Sequence, residues 1–257
     1  MTLTDARLAA TLAQSAGELL LALRSSSALS GKALSDHGDR VSDDLLLAEL
    51  AKARPGDAVL SEESVDSPAR LTSDRVWIID PLDGSREYGL RDRSDWAVHV
   101  ALWERDHGIT AAAVAQPDLG AVYATDTIAA SNVHHVSESF SDRPLILVSD
   151  SRPPAFAAAV AIAVHGELRP MGSAGAKAMA VVRGEADAYL HAGGQWEWDS
   201  AAPVGVVLAV GLHATRIDGS PLHYNSPRPY LPDLLICRRD LSAALLAAIV
   251  EATTPRP

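Results

Sequence analysis

The chain has 257 residues, enough for one large domain or two modest ones, and 47% of them are hydrophobic, which is ample for a sizeable core. Its formal net charge is −11, which argues against a protein that binds nucleic acid or an anionic membrane through diffuse positive charge. The single cysteine, Cys237, excludes an internal disulfide; it is expected to be a buried structural thiol, and the expected location is the cytoplasm.

The N-terminal segment is predicted to be an amphipathic helix over residues 5–24. Its charged start is weak and Glu18 interrupts its apolar run, which disfavours a signal peptide. No apolar stretch reaches the roughly 18 residues that a membrane span needs, so no membrane partner is predicted. Leucines recur at helical spacing through the segment, at Leu8, Leu12, Leu19 and Leu23.

Residues 25–40 are polar and are predicted to form a loop. A second helix is expected from Val41 to Lys52, because Pro55 and Gly56 follow it and stop helices. Strands come next along the chain: a short one in "AVLSEES", a fully apolar one in "RVWIID", a β-meander over residues 95–117, and a returning strand in "AVYAT".

Residues 129–143 are polar and have no clear periodicity. We therefore predict a boundary there, between an N-terminal α+β domain of residues 1–135 and a C-terminal α/β domain of residues 136–257. In the second half, strands in "PLILVSD", "DAYLHA" and "PDLLICR" alternate with helices over residues 153–166, 173–186, 199–211 and 241–253. This alternation is typical of an α/β layer arrangement.

Acidic residues lie at the edges of several apolar elements, and together they predict a Mg²⁺ site in a cleft between the halves. Within "DPLDG", a turn at Pro81 and Gly84 can bring two carboxylates and the carbonyl of Leu82 to one side. Each residue alone has a simpler interpretation: Asp199 as a helix N-cap, the Glu62–Glu63 pair as a solvated loop, and "DPLDG" as a structural turn. The candidate ligands are Glu62, Asp80, Leu82, Asp83 and Asp199.

Two motifs, "WIIDPLDGS" at residues 77–85 and "WDSAAP" at residues 198–203, resemble the signatures of the inositol monophosphatase-like phosphatases, which are Mg²⁺-dependent and lithium-sensitive. The acidic pair in "SEE" and the segment of residues 172–190 fit the same family, so the resemblance covers nearly the whole chain. It implies a layered αβαβα sandwich of the sugar-phosphatase type, α+β in its first half and α/β in its second.

The residues after the first motif, Gly84-Ser85-Arg86-Glu87-Tyr88, are similar to the "DGT(K/R)EF" of the CysQ-type 3′(2′),5′-bisphosphate nucleotidases, and the second half is similar to their actinobacterial branch. That resemblance implies removal of the 3′-phosphate from 3′-phosphoadenosine 5′-phosphate, a small-molecule substrate of sulfur metabolism. The alternatives are an inositol-1-phosphate or fructose-1,6-bisphosphate phosphatase, and a non-catalytic metal or nucleotide sensor. Ala192 weakens the inositol alternative, because inositol monophosphatases typically have a glutamate there.

The resemblance also assigns roles. It implies that two or three Mg²⁺ ions are held by the five candidate ligands, with Glu62 also serving catalysis. Ser85 and Asp39 would orient and deprotonate the attacking water; Asp39 lies 23 residues before Glu62, and Asp43 and Asp44 are its rivals. The reacting phosphate would meet Asp83, Gly84, Ser85 and Asp199.

The second anionic group of a nucleotide substrate is expected to meet Arg152, Ser173 or Lys177. The alternative interpretation is that Arg152 and Lys177 are surface charges. Ser173 lies near a predicted helix N-terminus, which favours phosphate. A homodimer is the assembly that the resemblance implies.

Overall fold

The computed structural model describes residues 3–127 and 143–254. Two five-stranded sheets alternate with helices in five layers. One pair of helices covers the outer face of the first sheet, a second pair lies between the sheets, and a third pair covers the outer face of the second sheet. The predicted αβαβα sandwich is therefore confirmed.

Two helices open the chain, α1 (Asp5–Ser26) and α2 (Gly31–Ala53). The amphipathic first helix is confirmed, but the loop predicted over residues 25–40 is wrong, because α2 begins at Gly31. The face of α2 that packs inward is largely polar in its first half, so the apolar periodicity that indicates a helix is missing there. Its buried residues are Leu34, Ser35, Gly38, Asp39, Ser42, Asp43, Leu46 and Leu50.

The first sheet is the predicted meander with one parallel strand added at its edge. The strands lie in chain order, β1 pairing parallel with β2 and all later pairs being antiparallel. A five-residue helix, α3 (Ser85–Gly89), follows β2. The strands are β1 (Ala58–Ser61), β2 (Arg75–Asp83), β3 (Ala97–Glu104), β4 (Gly108–Gln116) and β5 (Ala121–Ala124).

The second sheet has the order β7-β6-β8-β10-β9. Its three predicted strands are present as β6 (Leu145–Ser149), β8 (Ala188–Trp196) and β10 (Tyr230–Cys237). Two edge strands were not predicted, β7 (Glu167–Met171) and β9 (His213–Thr215); both are short, and β7 contains Pro170, which disfavours a strand prediction. The helices are α4 (Ala157–Ala163), α5 (Ala174–Val182), α6 (Glu197–Ala209) and α7 (Ser242–Thr253).

Because side chains alternate along β2, the two faces of the first sheet pack into two different hydrophobic cores. Trp77 and Ile79 pack against α1 and α2, whereas Val76 and Ile78 point into the core shared with α5 and α6. Helices of the second half therefore cover the first sheet. The division at residue 135 stays a prediction, because it lies outside the described residues, and the dimer stays one too.

Cys237 is fully buried in the core beneath α7, as predicted. Among the described residues, no helix is both long and apolar enough to cross a membrane.

Candidate active site

The first motif forms a bulged strand end followed by a tight turn. Pairing of β2 with β3 shifts register between Asp80 and Asp83, and the Ser42 hydroxyl of α2 donates to the Pro81 carbonyl at 2.7 Å. Gly84 has φ +86°, and a Cβ there would lie 3.0 Å from the Cβ of Ser173. Only glycine fits such a turn without strain, so the sequence "DPLDG" places its carboxylates by local geometry.

Three carboxylates converge where the turn meets α6. Asp80, Asp83 and Asp199 each offer an oxygen, and these oxygens lie within 4.8 Å of one another. Asp199 occupies the third position of α6 and accepts the backbone N–H of Trp196 at 2.5 Å, so it caps the helix and joins the cluster. Glu62, the residue after β1, is exposed and is not one of the three converging carboxylates.

The negative charges of this cluster are only partly balanced by nearby positive groups, since His99 and Lys177 lower the pKa of Asp199 less than burial and Asp83 raise it. Although the side chain of Glu62 keeps accessible surface, partial desolvation raises its pKa, and the carboxylates of Asp199, Glu63 and Asp83 add to the shift, to about 8. Burial, with the charge of Asp83, raises the pKa of Asp199 to about 6. The pKa of Asp80 is raised well above its ordinary value by burial and by Glu62. Crowded oxygen ligands that disfavour their own ionisation fit a hard divalent cation such as Mg²⁺.

This imbalance predicts the pH dependence of metal-free stability. In the unfolded chain these carboxyls ionise near pH 4, whereas in the folded protein Asp199 and Glu62 hold protons to about pH 6 and about pH 8. The folded state binds more protons over that window, so the free energy of unfolding falls as pH rises through it.

We expect the melting temperature in EDTA to fall between about pH 5 and pH 8, and saturating Mg²⁺ to remove most of the decline, because bound cations replace the protons. Thermal unfolding in matched buffers measures both. A metal-free melting temperature that rises with pH would contradict the site.

Asp83 differs from Asp80 and Asp199 in the number of its hydrogen bonds: among the described residues it accepts three, whereas each of the other two accepts one backbone N–H. Its Oδ1 accepts the N–H of Ala174 at 3.1 Å, and its Oδ2 accepts the N–H of Gly175 at 2.6 Å and the hydroxyl of Ser173. Burial alone would raise the pKa of Asp83, but the His99 ring, with Nε2 3.3 Å from Oδ2, and the donors of α5 lower it to about 2. Asp83 is thus an ionised carboxylate fixed at the N-terminus of α5.

The predicted pair for water activation lies beside this turn. The Ser85 hydroxyl is 3.2 Å from Oδ1 of Asp39, which faces it from α2, and 3.0 Å from the Leu82 carbonyl. The two rival residues lie elsewhere: Asp43 accepts the hydroxyls of Ser61 and Ser64, and Asp44 is exposed. Of the three candidates, the geometry therefore favours Asp39.

A cavity of about 270 Å³ opens from the cluster toward the second sheet. A larger cavity of about 660 Å³ lies between the β3–β4 turn and β9, but it contains none of the clustered carboxylates, so we place the site at the smaller one. The residues that line the smaller cavity include Asp83, Ser85, Asp199, Ser149, Ser151, Arg152, Lys177, Tyr189, His191 and Gln195.

The three residues expected at a second anionic group have different environments. Arg152 is exposed at the cavity, and its guanidinium makes no hydrogen bond or ion pair within the described part of the chain. The Ser173 hydroxyl donates to Asp83, so the anion at the N-terminus of α5 is Asp83 itself. The ammonium of Lys177 donates to three backbone carbonyls. Of these three residues, Arg152 is therefore the one whose positive charge is available to a ligand.

An ionic network at the cavity rim was missed by the sequence analysis. Arg86 contacts Glu87 and Asp150, and Arg93 contacts Asp95 and Asp150. These contacts join the segment after β2 to the end of β6. Arg86 is therefore engaged by carboxylates, and no pattern in the sequence pairs residues so far apart along the chain.

Tyr189, His191 and Gln195 of β8 were also missed as cavity residues. Strand alternation could have indicated the first two, because residues two apart on a strand share a face. Among the described residues, neither amide atom of the buried Gln195 has a hydrogen-bond partner.

The layered fold and the clustered carboxylates define a family. The inositol monophosphatase family matches residues 4–254, and the chain belongs to it. The resemblance drawn from the two motifs is confirmed.

Individual relatives narrow the comparison. The chain is 54% identical to a 3′-phosphoadenosine 5′-phosphate phosphatase of Mycobacterium leprae, over 97% of this chain and 94% of the relative. It is 30% identical to the 3′(2′),5′-bisphosphate nucleotidase CysQ of Escherichia coli K12, over 73% and 78%. An inositol monophosphatase II structure from Staphylococcus aureus MSSA476 has a TM-score of 0.77 over 92% of this chain and 91% of its own, at 19% identity, which supports the fold alone.

Proposed function

We propose that this chain is a Mg²⁺-dependent phosphatase that hydrolyses the 3′-phosphate of 3′-phosphoadenosine 5′-phosphate to give AMP and phosphate, as a step of sulfur metabolism, with 3′-phosphoadenylyl sulfate as a second substrate. The observation that carries the proposal is the 54% identity, over almost the full length, to a relative named for that activity. The carboxylate cluster and the adjoining cavity supply the chemistry that this activity needs.

The metal ligands in this proposal are Glu62, Asp80, the Leu82 carbonyl, Asp83 and Asp199. When bound, Mg²⁺ supplies the positive charge that an acidic protein lacks, for the phosphate oxygens and for the departing ribose oxygen. Phosphate monoester hydrolysis is among the slowest uncatalysed reactions, so the site has to stabilise much developing charge. Gly84 and Ser85 lie at the turn where backbone N–H groups can meet the reacting phosphate.

The proton of the attacking water is assigned to the Asp39–Ser85 pair. Burial raises the pKa of Asp39 to about 7, with the charge of Glu63 adding and the Ser85 hydrogen bond opposing. A carboxylate with a pKa near neutrality is suited to take a proton at neutral pH. The Ser85 hydroxyl, 3.2 Å from that carboxylate, positions the water beside it.

The nucleotide end of the substrate lies, in this proposal, along the cavity toward Arg152. The described cavity offers hydroxyls at Ser149 and Ser151 and the ring of Tyr189. A charge-assisted contact to a 5′-phosphate is worth roughly 1.5–3 kcal/mol. Inositol 1-phosphate lacks this second anionic group, and Ala192 offers no carboxylate to its hydroxyls.

The substitution Arg152→Ala is accordingly expected to reduce kcat/KM for 3′-phosphoadenosine 5′-phosphate by roughly one to two orders of magnitude. It should leave 3′-AMP hydrolysis nearly unchanged, because 3′-AMP has the same reacting phosphate and no 5′-phosphate. Steady-state kinetics on both substrates measure the difference. Arg105→Ala, an ion-paired arginine of the β3–β4 turn, is the control. Equal losses on both substrates would refute this role.

Phosphate release from 3′-phosphoadenosine 5′-phosphate, inositol 1-phosphate and fructose 1,6-bisphosphate, with Mg²⁺ and with EDTA, tests the whole proposal. The nucleotide should be the best substrate, and EDTA should abolish activity. A preference for either sugar phosphate would assign the chain to the alternative activity, and no release from any substrate would favour a sensor.

A further inference from the structure

A buried lysine, Lys177, donates hydrogen bonds to the backbone of the turn between β7 and α5. Lys177 is 4% exposed, and its Nζ donates to the carbonyls of Met171 at 3.3 Å, Gly172 at 3.0 Å and Ser173 at 2.6 Å. The ammonium also lies 4.9 Å from the centre of the Tyr189 ring. Three consecutive carbonyls thus converge on one cation, which accounts for every N–H donor that a lysine has.

The turn itself has a strained backbone. Ser173 has φ +48° and ψ 131°, a conformation that a residue with a side chain rarely adopts. Such a conformation persists only where the surrounding contacts enforce it. The neighbouring Gly172 is enclosed as well: its N–H donates to Asp95 at 2.7 Å, and a Cβ there would lie 2.5 Å from Glu87.

The strained turn presents the donors that fix Asp83. The hydroxyl of Ser173 and the N–H groups of Ala174 and Gly175 all reach the Asp83 carboxylate. The position of these donors depends on the conformation of the turn, and that conformation brings its three carbonyls together on Lys177. Groups that orient a metal ligand in this way typically change metal affinity about 10- to 100-fold when they are removed.

We propose that Lys177 is a positioning residue for the metal site: it holds the strained turn at residues 171–173 so that the N-terminus of α5 fixes Asp83 as a ligand. The proposal rests on the metal site of the proposed function and goes beyond it.

The choice of side chain supports this role. Only three of the chain's 22 lysines and arginines are lysines, and the other two, Lys32 and Lys52, are exposed on α2. An ammonium directs three donors tetrahedrally, which suits three carbonyls on one side of it, whereas the planar fork of arginine suits carboxylates and phosphates.

The test measures Mg²⁺ binding by isothermal titration calorimetry on the intact protein, without substrate. We expect Lys177→Met to weaken Mg²⁺ affinity about 10- to 100-fold, and Lys177→Arg to restore little of it. Lys52→Met is the matched control and should bind Mg²⁺ as the wild type does. If Lys177→Met fails to fold, Lys177→Gln, which keeps two N–H donors, takes its place in the same measurement.

Kinetics at saturating Mg²⁺ give the second readout. A positioning role predicts equal proportional losses on 3′-phosphoadenosine 5′-phosphate and 3′-AMP. Unchanged Mg²⁺ affinity in folded Lys177→Met would overturn the proposal, and so would a loss confined to the bisphosphate that Lys177→Arg repairs. If the wild type hydrolyses neither nucleotide, the proposed function fails, and the Mg²⁺ titration still decides the role of Lys177.

Discussion

Substitution of Asp83 by asparagine is expected to reduce activity severely and to destabilise the metal-free protein. The same change at Asp80 should reduce activity as severely but leave the metal-free protein equally or more stable. Asp83 accepts hydrogen bonds from the N–H groups at the start of α5. An asparagine would place its own N–H₂ donor opposite some of them, which leaves those donors unpaired. Leaving buried donors unpaired costs about 1–3 kcal/mol each. Asp80 faces other carboxylates, and asparagine keeps its bond from the Leu82 N–H, at 3.0 Å, while removing repulsion.

Both variants should lose roughly three orders of magnitude in kcat, because the loss of a charged ligand removes several kcal/mol of charge stabilisation. Urea unfolding in EDTA and phosphate release in Mg²⁺ measure the two effects separately. Asp74→Asn, at an exposed carboxylate paired with Arg105, is the control and should change neither. The assignment fails if either variant turns over normally at saturating Mg²⁺, or if Asp80→Asn destabilises the protein as much as Asp83→Asn does.

Loss of the Asp39–Ser85 pair should produce an effect of similar size on the rate. Asp39→Asn and Ser85→Ala are each expected to reduce kcat about 10²- to 10⁴-fold, which is the usual contribution of a positioned general base. Because the two residues act on one proton, the double variant should be little worse than the worse single one.

A double-mutant cycle on kcat gives that coupling directly. Ser64→Ala is a matched control, because Ser64 also donates its hydroxyl to an aspartate of α2, Asp43, away from the pair. Independent, multiplying losses for Asp39→Asn and Ser85→Ala would show that the residues do not work as a unit. Full activity in Asp39→Asn would mean that another carboxylate accepts the proton of the attacking water.

The sequence anticipated most elements and most carboxylates, for local reasons. Strand and helix periodicity is a property of a few neighbouring residues, so the meander and helices such as α5 and α7 were visible. The start of α2 was not, since the inward face of its first half is polar and packs on the "DPLDG" turn. Gly38 shows why: a Cβ there would lie 2.9 Å from Tyr88 and 3.2 Å from Leu82. In the sequence, Gly38 favours a loop prediction, whereas in the structure its missing side chain lets α2 pack closely against the site.

The sequence by itself determined the family and, through that resemblance, the layered fold, because the motifs that carry the resemblance are runs of a few adjacent residues. The same motifs supplied the candidate acidic ligands. Only the tertiary structure distinguished the candidate carboxylates by their surroundings. Asp39 was separated from Asp43 by its distance to Ser85, and Asp83 from Asp80 by the donors of α5. The structure also gave Lys177 partners that the sequence did not predict, the carbonyls of a strained turn. Ionisation and hydrogen bonding depend on neighbours that folding brings together, and these neighbours cannot be inferred from the spacing of residues along the chain.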